Sequence, residues 1–340
     1  MKIVSLVNQK GGCGKTTSAV NLSYALIQKG CTVLLIDLDP QAHATFSLGV
    51  TPQFTTTDLL EMIVNNQEYD LNQFFVERSE GFFVLGASIG LSVMEQTLSN
   101  RNDKLEIVSK IFANMEMKFD YCIIDCPPNL GILTLNALMV SNQAIVPIGI
   151  CELSLKGVDN LKNILEIVSQ YRKDSITISY LITQYDKRFK FSQIFMDRVK
   201  EEFGTKLFSV KIRTNIHLRE AAAMGKTIFE HRKDSRGALD YKRLANEIEH
   251  RVENVSMIKV FLKAEKLNDV YLIGEFNKWK KSENYKLKKI DNDKWAINLF
   301  LKKGEYRYKF IVDNKWINDP NNALIEDDAF GGKNSILLVS

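Results

Sequence analysis

Residues 10–17 read Lys-Gly-Gly-Cys-Gly-Lys-Thr-Thr and follow a short apolar run at 3–7. This order predicts a strand, a glycine-rich loop and a helix that begins near Lys15. In such a loop the glycines let backbone N–H groups surround phosphate oxygens, and the helix N-terminus adds partial positive charge. A lysine followed by a hydroxyl residue, here Lys15 and Thr16, serves the β- and γ-phosphates and Mg²⁺. The stretch therefore predicts a nucleoside triphosphate site.

The loop differs from the general phosphate-binding pattern in two ways. Gln9 stands where the first glycine is usual, and Lys10 adds a second lysine. Farther along the chain, two more apolar runs lead into Asp39 and Asp125. Because the carboxyl ends of parallel strands share one edge of a sheet, we expect these two carboxylates to lie beside the loop.

The loop and the two aspartate segments together resemble the ParA/MinD family of dimerising ATPases. The resemblance implies Mg²⁺-dependent ATP hydrolysis, in which Lys10, Lys15 and Asp39 are catalytic. The earlier lysine of that family reaches the partner subunit's nucleotide, so ATP binding would favour a homodimer. Asp39 would orient the attacking water, while Thr16 and, through water, Asp125 would hold Mg²⁺. The positions implied in nucleotide binding are Lys10, Gly11, Gly12, Cys13, Gly14, Lys15, Thr16 and Thr17.

Composition is that of an ordinary globular protein. The 340 residues are 45% hydrophobic and 25% charged, a length that favours two domains. The five cysteines have neither metal-site spacing nor a small-domain disulfide pattern, which favours reduced cytosolic thiols. No signal precedes the first strand, and no apolar run approaches the roughly 20 residues that span a bilayer. We expect a cytoplasmic protein with no membrane role.

Hydrophobic patterning divides the chain into two parts. Over residues 1–255, apolar strands alternate with helical stretches, which predicts an α/β domain with a doubly wound parallel sheet, the P-loop ATPase domain. Over residues 256–340 the pattern changes to short alternating runs rich in aromatic residues. This second pattern predicts a small all-β sandwich domain.

Residues 187–243 hold 15 Lys or Arg against 7 Asp or Glu. A late segment within them resembles the ParA branch, whose ATP-bound dimers bind DNA without sequence preference. The resemblance implies nucleoid association and a ParB-like partner that stimulates hydrolysis. A solvated basic face without DNA is the alternative that charge alone leaves open. The candidate DNA contacts are Arg213, Arg219, Lys233 and Arg236.

Other branches of the family fit this sequence less well. A MinD-like chain would end its ATPase domain in a basic amphipathic membrane helix, whereas this one continues into another domain. A nitrogenase-reductase-like chain would need cluster cysteines, and Cys126 is instead interpreted as a small buried residue.

The second part resembles the glycogen-binding module of AMP-activated kinase β subunits and of starch-branching enzymes, on the segments 270–279, 304–320 and 330–335. The resemblance implies that Trp279 and Trp316 stack on glucose rings. The other implied sugar contacts are Lys309, Asn334 and Phe330, the last in the place of a family leucine.

Aromatic residues in a small sandwich also form cores, and Trp295 is assigned there. The resulting hypothesis is a partition or positioning ATPase that holds α-glucan cargo through its C-terminal domain. The alternatives are a glucan-sensing regulatory ATPase, and a partition ATPase whose sandwich is only a protein-docking module.

Overall fold

The computed structural model describes residues 1–151, 153–172, 174–264, 267, 269–291, 293–302, 304–328 and 331–339. The chain divides into two compact units, Met1–Ile248 and Glu249–Ser340. The boundary at 255/256 remains a prediction. One helix ends at Asn254 and a strand begins at Val255.

The first unit is built on an eight-stranded sheet in the order β3-β4-β2-β5-β1-β6-β7-β8. Neighbouring strands are parallel except for the antiparallel pair β3 and β4. Its strands are β1 Lys2–Leu6, β2 Val33–Asp37, β3 Val76–Ser79, β4 Phe82–Leu85, β5 Tyr121–Asp125, β6 Gln143–Gly149, β7 Thr177–Tyr185 and β8 Leu207–Arg213.

Helices connect these strands. They are α1 Lys15–Ile27, α2 His43–Ser47, α3 Thr56–Val64, α4 Leu91–Ser99, α5 Ile107–Ala113, α6 Ile132–Val140, α7 Leu153–Tyr171, α8 Lys190–Phe203, α9 Ile216–Ala223, α10 Ile228–Arg232 and α11 Arg236–Asn254. Short 3₁₀ turns occupy Leu71–Phe74 and Gly204–Lys206.

The central strands explain why the sheet lies inside the unit. Every residue of β2, β5 and β6 is buried, as expected for parallel strands covered on both faces. The predicted α/β fold with a mostly parallel sheet is confirmed. In the register of this sheet, Asp125 lies beside Asp37 on one side and beside Leu6 on the other. The carboxyl ends of β1, β2 and β5 therefore meet at one point.

The second unit consists of two mainly antiparallel sheets. One has the order β10-β13-β16-β15, with β14 paired to β13, and the other has the order β11-β12-β9. The strands are β9 Val255–Lys263, β10 Val270–Gly274, β11 Lys288–Asp291, β12 Lys294–Lys302, β13 Gly304–Val312, β14 Lys315–Ile317, β15 Ile325–Asp327 and β16 Lys333–Val339.

Side chains from both sheets pack together in a shared core in this unit. Leu272 and Phe310 come from the first sheet, and Leu262, Trp295 and Leu299 come from the second. The predicted β-rich domain is thus present, and Trp295 is 7% exposed, in agreement with its assignment to the core. Within the described part of the chain, no helix has the length and apolar character needed to span a bilayer.

Candidate functional site

The glycine-rich loop joins β1 to α1. Gly12 and Gly14 have φ angles of 70° and 90°, in the left-handed region that side chains with a Cβ rarely adopt. Gly14 is the N-cap of α1, and Lys15 is its first residue. Thr16 and Thr17 follow in the first turn, where the backbone N–H groups have no partner within the helix. The loop therefore has the backbone form that surrounds a phosphate.

Two side chains at the carboxyl end of β7 hold the loop in place. Thr183 Oγ1 donates to the carbonyl of Cys13 at 2.7 Å, and Gln184 Nε2 donates to the carbonyl of Gly12 at 2.9 Å. These residues were missed in the sequence. They lie about 170 positions from the loop, and the only signal for them is their polarity at the end of a buried strand.

The two loop lysines have different surroundings. Lys15 is 7% exposed, and its Nζ donates to the carbonyl of Lys10 at 3.2 Å. The Lys10 side chain is half-buried, and its Nζ contacts the sulfur of Cys151. Lys15 is therefore buried within the loop, and Lys10 lies at the border of the loop.

Three carboxylates face this site from the strand ends. Asp37 accepts hydrogen bonds from the Asp39 N–H and from the N–H and hydroxyl of Thr45, at 3.0, 2.9 and 2.7 Å. Burial raises the pKa of Asp37 to about 6, against the lowering effect of these bonds. Asp39 is 5% exposed and accepts the Gln41 N–H at 3.0 Å. Asp37 thereby fixes the turn that presents Asp39.

Asp125 is fully buried, and neither of its carboxylate oxygens has a hydrogen-bond partner among the described residues. Burial raises its pKa well above the usual range, and the nearby Asp37 adds to this; Thr16 and the charge of Lys15 act in the opposite direction. A buried carboxylate of this kind needs a cation or water as its partner. Mg²⁺ binds through carboxylates and retained waters, so Asp125 and Thr16 fit it.

Two cysteines in or near the site, Cys13 and Cys126, are buried. Burial raises the pKa of the thiols of Cys13 and Cys126. Cys126 is fully buried, as the sequence interpretation stated. None of the five cysteines, all of which lie in the described part of the chain, forms a disulfide.

The four candidate DNA contacts have two kinds of surroundings. Arg219, Lys233 and Arg236 are exposed. Arg213 instead forms an ion pair with Asp240, with Nη2 to Oδ1 at 2.7 Å and Nε to Oδ2 at 2.9 Å. Asp240 also accepts the backbone N–H of Arg213, at 3.0 Å. The Arg213 guanidinium is therefore engaged within the fold, whereas the other three point to solvent.

In the second unit, most candidate sugar contacts lie on one face of the first sheet. Trp279 packs on Tyr271, Ile273 and Ile311, outside the sandwich core. Trp316 lies opposite Ile311 in the pairing of β14 with β13, and it is 52% exposed. The rings of Trp279 and Trp316 are 6.5 Å apart at their centroids and 32° apart in orientation. Together they form an apolar platform at the surface.

Lys309 and Asn334 are on the same face as the tryptophans. Lys309 lies opposite Ile273, and its Nζ forms an ion pair with Asp328, which the sequence analysis did not single out. Asn334 precedes Ser335, whose cross-strand partner Tyr308 points into the core, so alternation places Asn334 on the outer face.

Asn334 and Phe330 are the remaining candidate sugar contacts. Asn334 is 9% exposed. Phe330 lies outside the described residues. The structure therefore brings together four of the five candidate sugar contacts: Trp279, Trp316, Lys309 and Asn334.

Comparison with known proteins gives two family matches. Residues 1–178 match the AAA domain profile, and residues 260–340 match the profile of the glycogen recognition site of AMP-activated protein kinase.

Three similar proteins each match about three quarters of the chain. Chromosome-partitioning ATPase Soj of Treponema pallidum is 35% identical over 248 residues, which are 73% of this chain and 96% of Soj. Sporulation initiation inhibitor protein Soj of Bacillus subtilis is 33% identical, over 73% of this chain and 98% of its own. Cobyrinic acid a,c-diamide synthase of Mycobacterium smegmatis, solved with ADP and magnesium, is 28% identical. It has a TM-score of 0.64 and covers 74% of this chain and 96% of its own.

Proposed function

Because the chain belongs to the Soj/ParA family of partition ATPases, we propose that it is an ATP-dependent dimerising switch that positions a cargo on DNA. Its reaction is the hydrolysis of ATP to ADP and phosphate, with Mg²⁺ as the cofactor. The observation that carries the proposal is the pair of lysines in one phosphate loop, beside Asp39 and beside Asp125, whose oxygens have no hydrogen-bond partner in the described part of the chain.

Each residue of the site has a distinct part in this reaction. Lys15 compensates charge on the β- and γ-phosphates, and the loop N–H groups hold them in position. Asp39, held in its turn by Asp37, orients the attacking water. Thr16 and Asp125 would hold Mg²⁺, which neutralises phosphate charge when bound. Positioning and charge compensation supply most of the catalysis in phosphoryl transfer.

Lys10 makes the switch depend on a second subunit. In the proposal, this lysine leaves Cys151 and contacts the γ-phosphate bound to the partner subunit. ATP then contributes a contact that ADP lacks, and this difference in contacts favours the dimer only before hydrolysis. Loss of the γ-phosphate returns the protein to the monomer.

Light scattering with and without ATP tests the proposed role of Lys10 in ATP-dependent dimerisation. Wild type is expected to double in mass with ATP, Lys10→Ala to bind ATP but stay monomeric, and Lys15→Ala to lose nucleotide binding. Lys118→Ala is the matched control. It removes an exposed lysine just before the amino end of β5, which is the opposite end of that strand from Asp125. A wild-type monomer that hydrolyses ATP at full rate would contradict the role of Lys10 in trans.

For DNA, the proposal is sequence-independent binding by the ATP-bound dimer, with a ParB-like partner that accelerates hydrolysis. Support comes from the exposed Arg219, Lys233 and Arg236. Arg213 gives weaker support for DNA binding, because its guanidinium already pairs with Asp240. Such binding would place the protein on the nucleoid in the cytoplasm.

For the second unit, the proposal is binding of an α-glucan such as glycogen, which would tether the cargo. The matched profile and the exposed tryptophan platform support it. Flat indole faces suit the C–H surfaces of glucose rings, and Lys309 and Asn334 offer polar groups beside them.

Co-sedimentation of the whole protein with glycogen tests glucan binding. Wild type is expected to pellet, and the Trp279→Ala/Trp316→Ala variant to remain in solution. Ile290→Ala, which removes a half-exposed apolar side chain from β11 of the other sheet, should pellet like wild type. Absence of pelleting by wild type would leave the unit as a docking module. A glycogen-dependent ATPase rate without DNA would instead favour the sensor alternative.

A further inference from the structure

Three side chains on α9 and α10 converge on one point outside the nucleotide site. His217 and Glu220 lie three positions apart on α9, and so they share a face of that helix. His231 lies on α10. Glu220 Oε2 is 2.7 Å from His217 Nδ1 and 3.1 Å from His231 Nε2. One possible ligand atom from each of the three residues lies within 4.8 Å of the other two.

We propose that His217, Glu220 and His231 bind one divalent metal ion with the ligand preference of Zn²⁺, with water as the fourth ligand. Two imidazole nitrogens and one carboxylate oxygen are a donor set that Zn²⁺ uses when it keeps an open position. The same set binds Mg²⁺ poorly, because Mg²⁺ prefers oxygen ligands. The site is therefore chemically distinct from the magnesium position at Asp125.

The separations of the ligand atoms are close to those of a tetrahedral site. Zinc bonds of about 2.0–2.1 Å place neighbouring ligand atoms roughly 3.4 Å apart. The carboxylate oxygen is now slightly too near both imidazoles, and the two ring nitrogens are at most 4.8 Å apart. Reaching about 3.4 Å requires changes of roughly 0.7 Å and 0.3 Å in the two oxygen–nitrogen distances and of at most about 1.4 Å between the nitrogens.

The backbone around the cluster is fixed on both sides. Asn215 caps α9 by accepting the His217 N–H at 3.0 Å. Thr227 and Glu230 form a reciprocal capping box at the start of α10. Asn21 of α1 accepts the Ile228 N–H at 2.8 Å. The ligands thus project from two anchored helix starts, which lowers the entropic cost of assembling them around an ion.

Charges within the cluster are compatible with an ion. Hydrogen bonds from His217 and then His231 lower the pKa of Glu220, so its carboxylate is ionised. Arg232 is the competing cation, with Nη1 3.2 Å from His217 Nε2. A neutral His217 that accepts from Arg232 carries its proton on Nδ1. Metal binding at Nδ1 moves that proton to Nε2, which then cannot accept from Arg232. Occupancy of the site would therefore release Arg232.

Calorimetric titration of Zn²⁺ into the nucleotide-free, chelator-treated whole protein, with Mg²⁺ in the buffer, tests the site. One ion per chain is expected for wild type. His217→Ala and His231→Ala should each lose at least tenfold in affinity, since each removes one of three protein ligands. The chain has four histidines, and His43→Ala, at an exposed position on α2, is the matched control that should bind like wild type.

Two results would overturn the proposal. One is a wild-type protein that binds no zinc, and the other is equal zinc binding by wild type and both histidine variants, which would assign the ion to cysteines. The Glu220→Gln variant controls for misfolding, because the amide oxygen of the glutamine still accepts a hydrogen bond. This variant should keep the wild-type melting temperature without metal and lose most of the increase that zinc gives to wild type.

Discussion

Asp37, Asp39 and Asp125 are three buried carboxylates in one place, yet each has a different set of partners. Among the described residues, Asp37 has three hydrogen-bond donors, Asp39 has one, and Asp125 has none. The number of donors decides what each group can do. A fully bonded carboxylate fixes the backbone, whereas one without a partner is available to a cation or to water. In the proposed mechanism, this gradation separates three roles among identical side chains: support of the backbone, positioning of water and binding of the metal ion.

Asp39→Ala is expected to keep ATP binding and the ATP-dependent dimer while hydrolysis falls by about 10²-fold or more, because the attacking water loses its orienting group. Phosphate release and light scattering measure the two effects separately. Asp197→Ala, which removes a carboxylate that is 81% exposed on α8, is the control. Wild-type turnover in the Asp39 variant would rule out this role.

Arg213 and Arg219 are expected to respond differently to the same substitution. Arg213→Ala leaves Asp240 buried at 3% exposure without its ion pair. This should lower the free energy of unfolding by about 2–3 kcal/mol, less than for a fully buried pair because Arg213 is 35% exposed. Arg219→Ala should weaken DNA binding with a change in stability of at most about 0.5 kcal/mol. Urea denaturation of both variants measures the free energy of unfolding, and a DNA-binding assay measures their affinity. Equal stability of the two variants would contradict the expected difference.

At the scale of secondary-structure elements, the sequence predicted the strands and loops that a local pattern of residues identifies. Buried strands such as β2 and β5 are apolar up to the aspartate that ends each of them, and the loop glycines have a recognisable spacing. The β3–β4 hairpin was not predicted, because its strands have four residues each and β3 is mixed in polarity. The anchors at Thr183 and Gln184 were not predictable, because their partners are distant in the chain.

Thr183→Val tests the contribution of β7 to the nucleotide site. It removes the hydrogen bond to the Cys13 carbonyl, worth about 1 kcal/mol, and so ATP affinity should fall roughly fivefold. Thr177→Val, the same change at the other end of β7, should leave affinity unchanged. Fluorescent nucleotide titration measures both. Equal affinities for the two variants would show that the anchor does not shape the loop.

At the scale of the whole molecule, DNA binding is expected to depend on the sum of exposed charges. Each phosphate contact contributes about −0.9 to the slope of log affinity against log salt. Arg219→Ala, Lys233→Ala or Arg236→Ala should each make the slope less steep by about one unit, for any DNA sequence. Lys118→Ala should leave the slope unchanged. Binding by the ATP-bound protein at several salt concentrations gives the slopes, and unchanged slopes in all three variants would move the DNA surface elsewhere.

The separate cores of the two units predict the behaviour of a shortened chain. Residues 1–255 contain the complete eight-stranded sheet and its helices, so they should keep ATP hydrolysis and ATP-dependent DNA binding. The same chain lacks the tryptophan platform and should not pellet with glycogen. Turnover and co-sedimentation beside the full chain measure the outcome. Loss of ATP hydrolysis on shortening would argue against the boundary at 255/256.

The chain has three tryptophans, and all of them, Trp279, Trp295 and Trp316, lie in the second unit. Indole emission therefore reports on that unit alone. Trp295 is enclosed by the core, while Trp316 is half exposed beside Trp279. A bound sugar would change emission from the outer pair and leave the inner ring as an internal reference. The protein thus carries its own optical label, through which sugar occupancy of the second unit could be followed without chemical modification.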